Sequence, residues 1–183
     1  MPQAANSISI IIPTLNEAAN INRLLAHLIE EAAGGHISEI IVVDGHSQDN
    51  TAALVKEFSK TSTITIQLIH SERGRAKQMN TGAKASLSSI LYFLHADSLP
   101  PQNFDRLIIS EIEKQQLAGC FKMKFDSNHW WLSLVSWATR FNWSICRGGD
   151  QSLFISKALF NEIGGFNQEY IIYEDQILTN QLY

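Results

Sequence analysis

The 183-residue chain has little cysteine, only Cys120 and Cys146. The two residues form no Cys-x-x-Cys pair and have no clustered histidine partners, so the pattern of a structural zinc site is missing. A disulfide between them is one alternative, but the sequence favours two free thiols in a reducing compartment.

The chain also lacks a surplus of positive charge and a long hydrophobic run. Its 14 Lys and Arg residues against 18 Asp and Glu give a formal net charge of -4, whereas nucleic-acid-binding domains carry a basic footprint. No apolar stretch approaches the ~18 residues of a membrane span, and no signal-peptide pattern is found at the start. We therefore expect a cytoplasmic protein with no nucleic-acid partner and no transmembrane segment.

Short apolar runs alternate with amphipathic segments over the first 117 residues. The runs are continuous, as strands buried on both faces of a sheet require. This alternation predicts an α/β fold with a mostly parallel sheet and helices on both faces. The predicted strands are 8–12, 39–43, 63–69 and 90–94, and the predicted helices are 18–33 (capped by Asn16), one that begins at Asp49 or Asn50, 75–86 and 102–116.

After residue 117 the alternation breaks. Residues 119–125 and 152–155 are predicted strands, and 128–141 is a predicted helix in the segment that holds all four tryptophans. This helix is interpreted as a core or dimer-packing element, so a homodimer is one expectation. The alternative is a helix at a membrane interface or an apolar surface that contacts the acceptor, although basic residues are sparse there. No linker divides the chain, which favours a single domain.

Polar side chains follow each of the four predicted strands at its carboxyl end. Ligands bind at this edge of open parallel sheets, so the pattern predicts one site there. The residues are Asn16 and Glu17 after the first strand, Asp44 after the second, Arg73, Arg75 and Lys77 after the third, and His95 and Asp97 after the fourth.

The glycine motifs that cradle phosphates are missing from the chain. Neither Gly-x-Gly-x-x-Gly nor Gly-x-x-x-x-Gly-Lys-[Ser/Thr] occurs, which disfavours classical dinucleotide and P-loop binding. A divalent cation could hold a diphosphate instead, because Mg2+ or Mn2+ commonly uses one or two carboxylates and takes its other ligands from phosphate and water. A strand that ends in His95-Ala96-Asp97 suits such a site.

Six segments carry a family resemblance. In order they are SIIIPTLNEAANI, EIIVVDGHSQDNT, GRAKQMNTGA, LYFLHADSLP, GGDQSLFI and IGGF followed by YEDQIL. The chain resembles family 2 glycosyltransferases over residues 7–183, and most of all the subgroup called radical-SAM/selenodomain-associated transferase 2. The resemblance implies a GT-A fold: a Rossmann-like sheet with helices on both faces and a smaller acceptor-side α+β region. Within one domain, 1–117 would bind the nucleotide sugar and 118–183 the acceptor.

The resemblance implies nucleotide-binding roles in the first half. Thr14, Glu17 and Asp44 would hold the nucleoside, because a carboxylate can accept from a base N–H or a ribose hydroxyl. Arg75 would approach the nucleotide or the diphosphate with its guanidinium fork. The alternatives are a helix-terminal charge for Glu17 and a turn carboxylate for Asp44. For Arg73 and Lys77 the favoured interpretation is a solvated surface charge, with the same phosphate role as the alternative.

His95-Ala96-Asp97 takes the position of the family's Asp-x-Asp motif, with His95 in place of the first aspartate. Asp97 is implied as the ligand of Mn2+ or Mg2+. For His95, direct metal binding, a ribose contact and a satisfied strand-end histidine stay open. Direct binding would favour Mn2+, because imidazole is a softer ligand than carboxylate.

The acceptor-side motifs imply the remaining roles. Asp175 would be the general base, and Glu174 would orient it or bind acceptor hydroxyls. The alternative is an acid-rich helix N-terminus. Asp150 and Gln151 would grip acceptor hydroxyls or order a turn. The chain ends at Tyr183, shortly after this motif, where family members continue, so a C-terminal truncation or a short form is expected.

The implied reaction is a metal-dependent single displacement with inversion. It would move a sugar from a nucleotide-diphosphate sugar, a UDP-sugar by default, to an acceptor hydroxyl. The acceptor is unknown, with a lipid-linked acceptor at the inner face of the membrane as one option. The alternatives are an inactive nucleotide-sugar-binding protein and a nucleotidyltransferase, which would need a glycine-rich basic loop after the first strand.

Overall fold

The computed structural model describes residues 6–33, 35–121 and 152–167. The predicted helix 128–141 lies outside these residues. The strands are β1 (Ile8–Thr14), β2 (Ile37–Asp44), β3 (Thr65–His70), β4 (Ile90–Phe93), β5 (Ala118–Cys120) and β6 (Leu153–Ser156). The helices are α1 (Ile21–Glu31), α2 (Thr51–Ser59), α3 (Arg75–Ala85), α4 (Phe104–Glu113) and α5 (Lys157–Glu162).

The described strands form one sheet in the order β3-β2-β1-β4-β6-β5. β1 pairs in parallel with β2 and β4, and β2 pairs in parallel with β3. The predicted mostly parallel sheet is thus confirmed, and β6 adds an antiparallel side by pairing with β4 and β5. Because the strand order reverses between β1 and β4, a crevice is expected at their carboxyl ends.

Apolar clusters cover both faces of the sheet. Ile10 and Ile12 of β1 belong to the cluster that includes Leu24 of α1, whereas Ile11 belongs to the cluster on the α3 side with Met79. This split follows from the alternation of side chains along a strand. No helix within the described ranges is long and apolar enough to cross a bilayer.

A buried carboxylate lies near the amino ends of the strands. Glu39 of β2 is 3% exposed, and it accepts hydrogen bonds from Ser9 Oγ at 2.7 Å, Gln67 Nε2 at 2.8 Å and the Leu87 N–H at 2.8 Å. A buried carboxylate needs such donors. Since the donors come from β1, β3 and the segment before β4, the interaction fixes the register of the parallel strands.

The first helix begins later than predicted, and Asn16 does not cap it. Its N-cap position is Asn20. Asn16 has a φ of 57° and joins two loops: its N–H donates to Ser47 Oγ at 2.9 Å, and its Oδ1 accepts from the Gln48 N–H at 2.8 Å. The capping prediction was wrong because this side chain bonds the neighbouring loop.

The Asp49 carboxylate connects the start of α2 to the loop after β1 by hydrogen bonds. Its Oδ1 accepts from the N–H and the hydroxyl of Thr51, and its Oδ2 accepts from the Ala18 N–H at 3.0 Å. The Thr51 hydroxyl is the main cause that lowers the pKa of Asp49 below its usual value. The predicted start of α2 is confirmed, with Asn50 at the N-cap position and Asp49 supplying the side-chain hydrogen bonds.

Helix α3 lies close against β1 and β2 because Gly82 has no side chain. A Cβ at this position would lie 2.5 Å from Ile11 Cγ2 and 3.1 Å from Val43 Cγ2. The same helix also contacts the turn Gly164-Gly165-Phe166 after α5. Asn80 Nδ2 donates to the Phe166 carbonyl at 2.8 Å, and Asn80 Oδ1 accepts from the Phe166 N–H at 3.0 Å. One helix therefore contacts both strand ends and the turn after α5.

We expect Gly82→Ala to lower the free energy of unfolding by about 1 to 3 kcal/mol, the usual cost of overpacking. Alanine gains about 1 kcal/mol of helix propensity over glycine, but the clash with Ile11 outweighs it. Urea unfolding measures the change, and Lys84→Ala on the exposed face of α3 is the control. An unchanged or higher midpoint for Gly82→Ala would contradict the packing described.

Asp49→Asn tests the cross-link between the two loops by its pH dependence. The folded pKa of Asp49 lies below the unfolded value of 3.8, so its contribution is present above about pH 4 and lost as pH falls through the folded pKa. The difference in unfolding free energy between wild type and variant should therefore be larger at about pH 7 than at about pH 3. Urea titrations at both pH values measure it, and a difference that grows toward acid would refute the cross-link.

Candidate active site

A cleft of about 320 Å³ opens at the carboxyl ends of β1 and β4, in the crevice where the strand order reverses. The ends of both strands and the start of α3 form its walls. The lining residues are Pro13, Thr14, Leu15, Glu17, Arg73, Gly74, Arg75, Gln78, His95, Ala96 and Asp97. Five predicted site residues are among them: Thr14, Glu17, Arg75, His95 and Asp97.

The β1 side of the cleft carries Thr14 and Glu17. Thr14 ends the strand and is 1% exposed. Glu17 is half-buried, its Oε2 accepts from Asn20 Nδ2 at 2.9 Å, and its N–H donates to Thr51 Oγ1 at 2.8 Å. The backbone and carboxylate of Glu17 are therefore held in place before any ligand binds.

Asp44 lies at the end of β2, in register with Thr14, but it does not line the cleft. The residue is 1% exposed. Its carboxylate accepts from the N–H and the hydroxyl of Ser47 and lies 3.3 Å from His70 Nδ1. These contacts favour the turn-carboxylate alternative, and the nucleoside-binding role of Asp44 stays a prediction.

The start of α3 faces the cleft through Gly74 and Arg75. Gly74 occupies the N-cap position with a φ of 136°, a conformation that favours glycine, and no side chain caps the helix. The first-turn N–H groups and the positive end of the helix dipole therefore lie at the cleft. Together with the exposed Arg75, they form a positive wall suited to an anion.

The two neighbouring basic residues differ in position. Lys77 forms an ion pair with Glu72 at 2.5 Å outside the cleft, and this hydrogen bond lowers the pKa of the Glu72 carboxyl. This position favours the interpretation of Lys77 as a surface charge. Arg73 is exposed and lines the cleft, so its role as a surface charge or as a phosphate contact stays a prediction.

The β4 side of the cleft is a turn that carries His95 and Asp97. The Leu94 N–H donates to the Ile11 carbonyl at 3.0 Å, and the Ser98 N–H closes the turn on the His95 carbonyl at 3.1 Å. His95 is 8% exposed, whereas Asp97 is exposed and has a long 3.3 Å contact from Ser98 Oγ. Within the described ranges, no three His, Cys, Asp or Glu residues are grouped for a metal ion.

Gln78 lies at the cleft although it was not among the predicted site residues. The residue is 3% exposed, lines the cleft and bonds the ends of β1 and β2 through its amide nitrogen. Its place one turn after Arg75 is a signal that could have revealed it, because residues three apart lie on the same face of a helix.

Four predicted site residues lie outside the described part of the chain. They are Asp150, Gln151, Glu174 and Asp175. Their acceptor-side and general-base roles stay predictions.

Comparisons with known proteins connect this geometry to a family. The model of "Glycosyl transferase family 2" matches residues 9–167. The PGL/p-HBAD biosynthesis glycosyltransferase of Mycobacterium tuberculosis is 30% identical over 179 residues, which cover 94% of this chain and 68% of that protein. Glycosyltransferase AglE of Haloferax volcanii is 34% identical over 98 residues, 53% of this chain and 32% of that protein.

Solved structures share the fold. The mannosyltransferase PcManGT of Pyrobaculum calidifontis, in complex with GDP-Man and Mn2+, has a TM-score of 0.76 and 22% identity over 99% of this chain and 53% of that one. TarS 1-349 of S. aureus, in complex with UDP-GlcNAc, has a TM-score of 0.77 and 22% identity over 97% and 53%. The chain thus spans about half of these structures, and the predicted GT-A fold is confirmed. On the family match and the fold together, the chain belongs to glycosyl transferase family 2.

Proposed function

We propose that the chain is a metal-dependent, inverting glycosyltransferase that moves a sugar from a nucleotide-diphosphate sugar to an acceptor hydroxyl. The observation that carries the proposal is the cleft itself, which brings a positive wall and a carboxylate together at the switch point of a GT-A sheet. Family relatives are named glycosyltransferases, and structures of the same fold hold GDP-Man or UDP-GlcNAc.

The nucleoside would lie against the end of β1. Glu17 would accept from a base N–H or a ribose hydroxyl, and Thr14 would form the floor. Asp44 would take part only if its hydrogen bonds from Ser47 rearrange. The diphosphate would lie at the start of α3, where Arg73, Arg75 and the helix N–H groups can donate to phosphate oxygens.

The residues on the β4 side fit a divalent cation that takes most of its ligands from the donor. Asp97 is exposed in the cleft with one weak side-chain contact, so its carboxylate oxygens are available. A single carboxylate suffices for Mg2+ or Mn2+ when phosphate and water complete the shell. His95 lines the same wall and could add a nitrogen ligand. When bound, the cation would stabilise the charge of the leaving diphosphate.

The chemical step needs a base on the acceptor side. We assign this role to Asp175, with Glu174 orienting it, and we assign acceptor hydroxyl contacts to Asp150 and Gln151. The acceptor oxygen would bond to the anomeric carbon from the face opposite the diphosphate while its proton passes to the carboxylate. The bond between the anomeric carbon and the diphosphate breaks in the same step, the nucleoside diphosphate leaves, and the configuration is inverted. UDP is the default nucleotide, and a lipid-linked acceptor is one option.

The proposal also covers the two halves of the domain, the subgroup within the family, the oligomeric state and the location. Residues 1–117 would form the nucleotide-sugar-binding half and 118–183 the acceptor-side half of a single domain. Within the family, we propose that the chain is a member of the radical-SAM/selenodomain-associated transferase 2 subgroup, which its motifs resemble. The homodimer, the cytoplasmic location and peripheral association with the inner membrane face belong to the proposal as well.

Asp97→Asn should remove metal-dependent nucleotide binding. Titration calorimetry of UDP, GDP and dTDP, each with and without Mn2+, should show one nucleotide that binds better with the ion. The variant should bind it at least about tenfold more weakly, because the carboxylate ligand is lost while shape is kept.

Glu113→Gln, which changes an exposed carboxylate at the end of α4, is the matched control and should bind like wild type. Equal binding by wild type and Asp97→Asn, or binding that ignores Mn2+, would reject the metal assignment. A folded wild type that binds none of the three nucleotides would reject the donor site.

Asp175→Asn tests the general base. The variant should bind the nucleotide with unchanged affinity. It should cleave the nucleotide-diphosphate sugar about 10²- to 10⁴-fold more slowly, which is the usual contribution of a general base. Release is measured by nucleotide chromatography with water as the acceptor, and the anomer formed is followed by proton NMR. Retention of configuration, or an unchanged release rate, would remove Asp175 from this role.

A further inference from the structure

Gln78 is a buried amide that the proposed function leaves unused. It lies on α3, is 3% exposed and lines the cleft. Its Nε2 donates to the Thr14 carbonyl at 2.8 Å and to the Val43 carbonyl at 2.7 Å. These carbonyl groups lie at the carboxyl ends of β1 and β2, so the amide bridges the two strand ends beside the cleft.

The hydrogen bonds fix which way the amide points. Both N–H groups of the Gln78 amide are used by carbonyl oxygens. A flipped amide would set its own oxygen against two other oxygens, so only one orientation is stable. Among the described residues, none donates a hydrogen bond to Gln78 Oε1. This oxygen is an acceptor whose orientation the fold has already set.

The Gln78 amide lies beside Gly45 in the loop after β2. A Cβ at Gly45 would lie 3.2 Å from the Cδ, the Nε2 and the Oε1 of Gln78, so the loop after β2 rests on the face of the amide. The small part of Gln78 that remains accessible belongs to the cleft wall. A ligand that enters the cleft therefore meets an amide whose orientation is set by its two hydrogen bonds.

We propose that Gln78 is a specificity-determining residue, whose Oε1 accepts a hydrogen bond from an N–H or O–H group of the nucleoside part of the donor. This inference rests on the proposed function. A diphosphate has no hydrogen-bond donor near neutral pH and would be repelled by a carbonyl oxygen, which leaves the base, the ribose and the transferred sugar as partners. Gln78 bonds the backbone of Thr14, the residue assigned to the nucleoside, and this favours the base or the ribose.

The proposal predicts discrimination by a single ligand group. A buried acceptor left without its donor costs affinity, so one analogue should bind wild type roughly tenfold more weakly than its parent. Calorimetry with Mn2+ compares UDP, 2′-deoxy-UDP and 3-methyl-UDP, or the GDP, 2′-deoxy-GDP and 1-methyl-GDP set if GDP is the nucleotide bound. Weakening by the deoxy analogue identifies the ribose, and weakening by the methyl analogue identifies the base.

Variants of Gln78 should abolish that discrimination. Gln78→Lys keeps N–H donors for the two strand carbonyls and removes the acceptor, and Gln78→Met removes both. In whichever variant folds by circular dichroism, parent and analogue should bind within about twofold of each other. Lys84→Met on the exposed face of α3 is the control and should discriminate like wild type.

Different results would overturn the role of Gln78 and the proposed function. Both analogues binding wild type as tightly as the parent would overturn the role of Gln78 without touching the donor site. The same discrimination in wild type and in a folded Gln78 variant would do so too. No nucleotide binding by folded wild type would instead overturn the proposed function, and this inference with it.

Discussion

The approach of α3 to the carboxyl ends of β1 and β2 is the constraint on which the cleft depends. Gly82 lets the helix lie against Ile11 and Val43, a distance that any side chain would increase. At that distance Gln78 reaches the strand carbonyls, and Gly74 brings the positive end of the helix to the cleft wall. A single distance between helix and sheet therefore sets both the positive wall of the cleft and the position of the Gln78 amide.

Helix α3 also contacts the turn after α5, which lies outside the cleft lining. Asn80, two residues after Gln78, makes a reciprocal pair of hydrogen bonds with the backbone of Phe166. Gly165 is needed there, since a Cβ would lie 2.8 Å from Asn80 Oδ1 and its φ is 76°. The cleft and the turn after α5 both contact α3, so a shift of this helix would move both.

The sequence predicted the parts of the molecule that depend on periodicity and missed those that depend on side-chain partners. Strands, helices and polar strand ends follow from patterns along the chain, and they placed Thr14 and Asp97 correctly at one cleft. Asn16 was misread because its partner, the loop after β2, is distant in sequence. Gln78 was missed for the same reason, because the carbonyl groups of Thr14 and Val43 that it bonds are distant in sequence.

The buried carboxylate of Glu39 has a consequence for how the cleft binds. It secures β1, β2 and β3 from the edge of the sheet opposite the cleft, using donors that belong to the protein. Strand alignment at the cleft therefore does not depend on a bound molecule. The sheet is preorganised, so the entropy lost on binding would come from side chains and loops around the ligand and not from the scaffold that carries them.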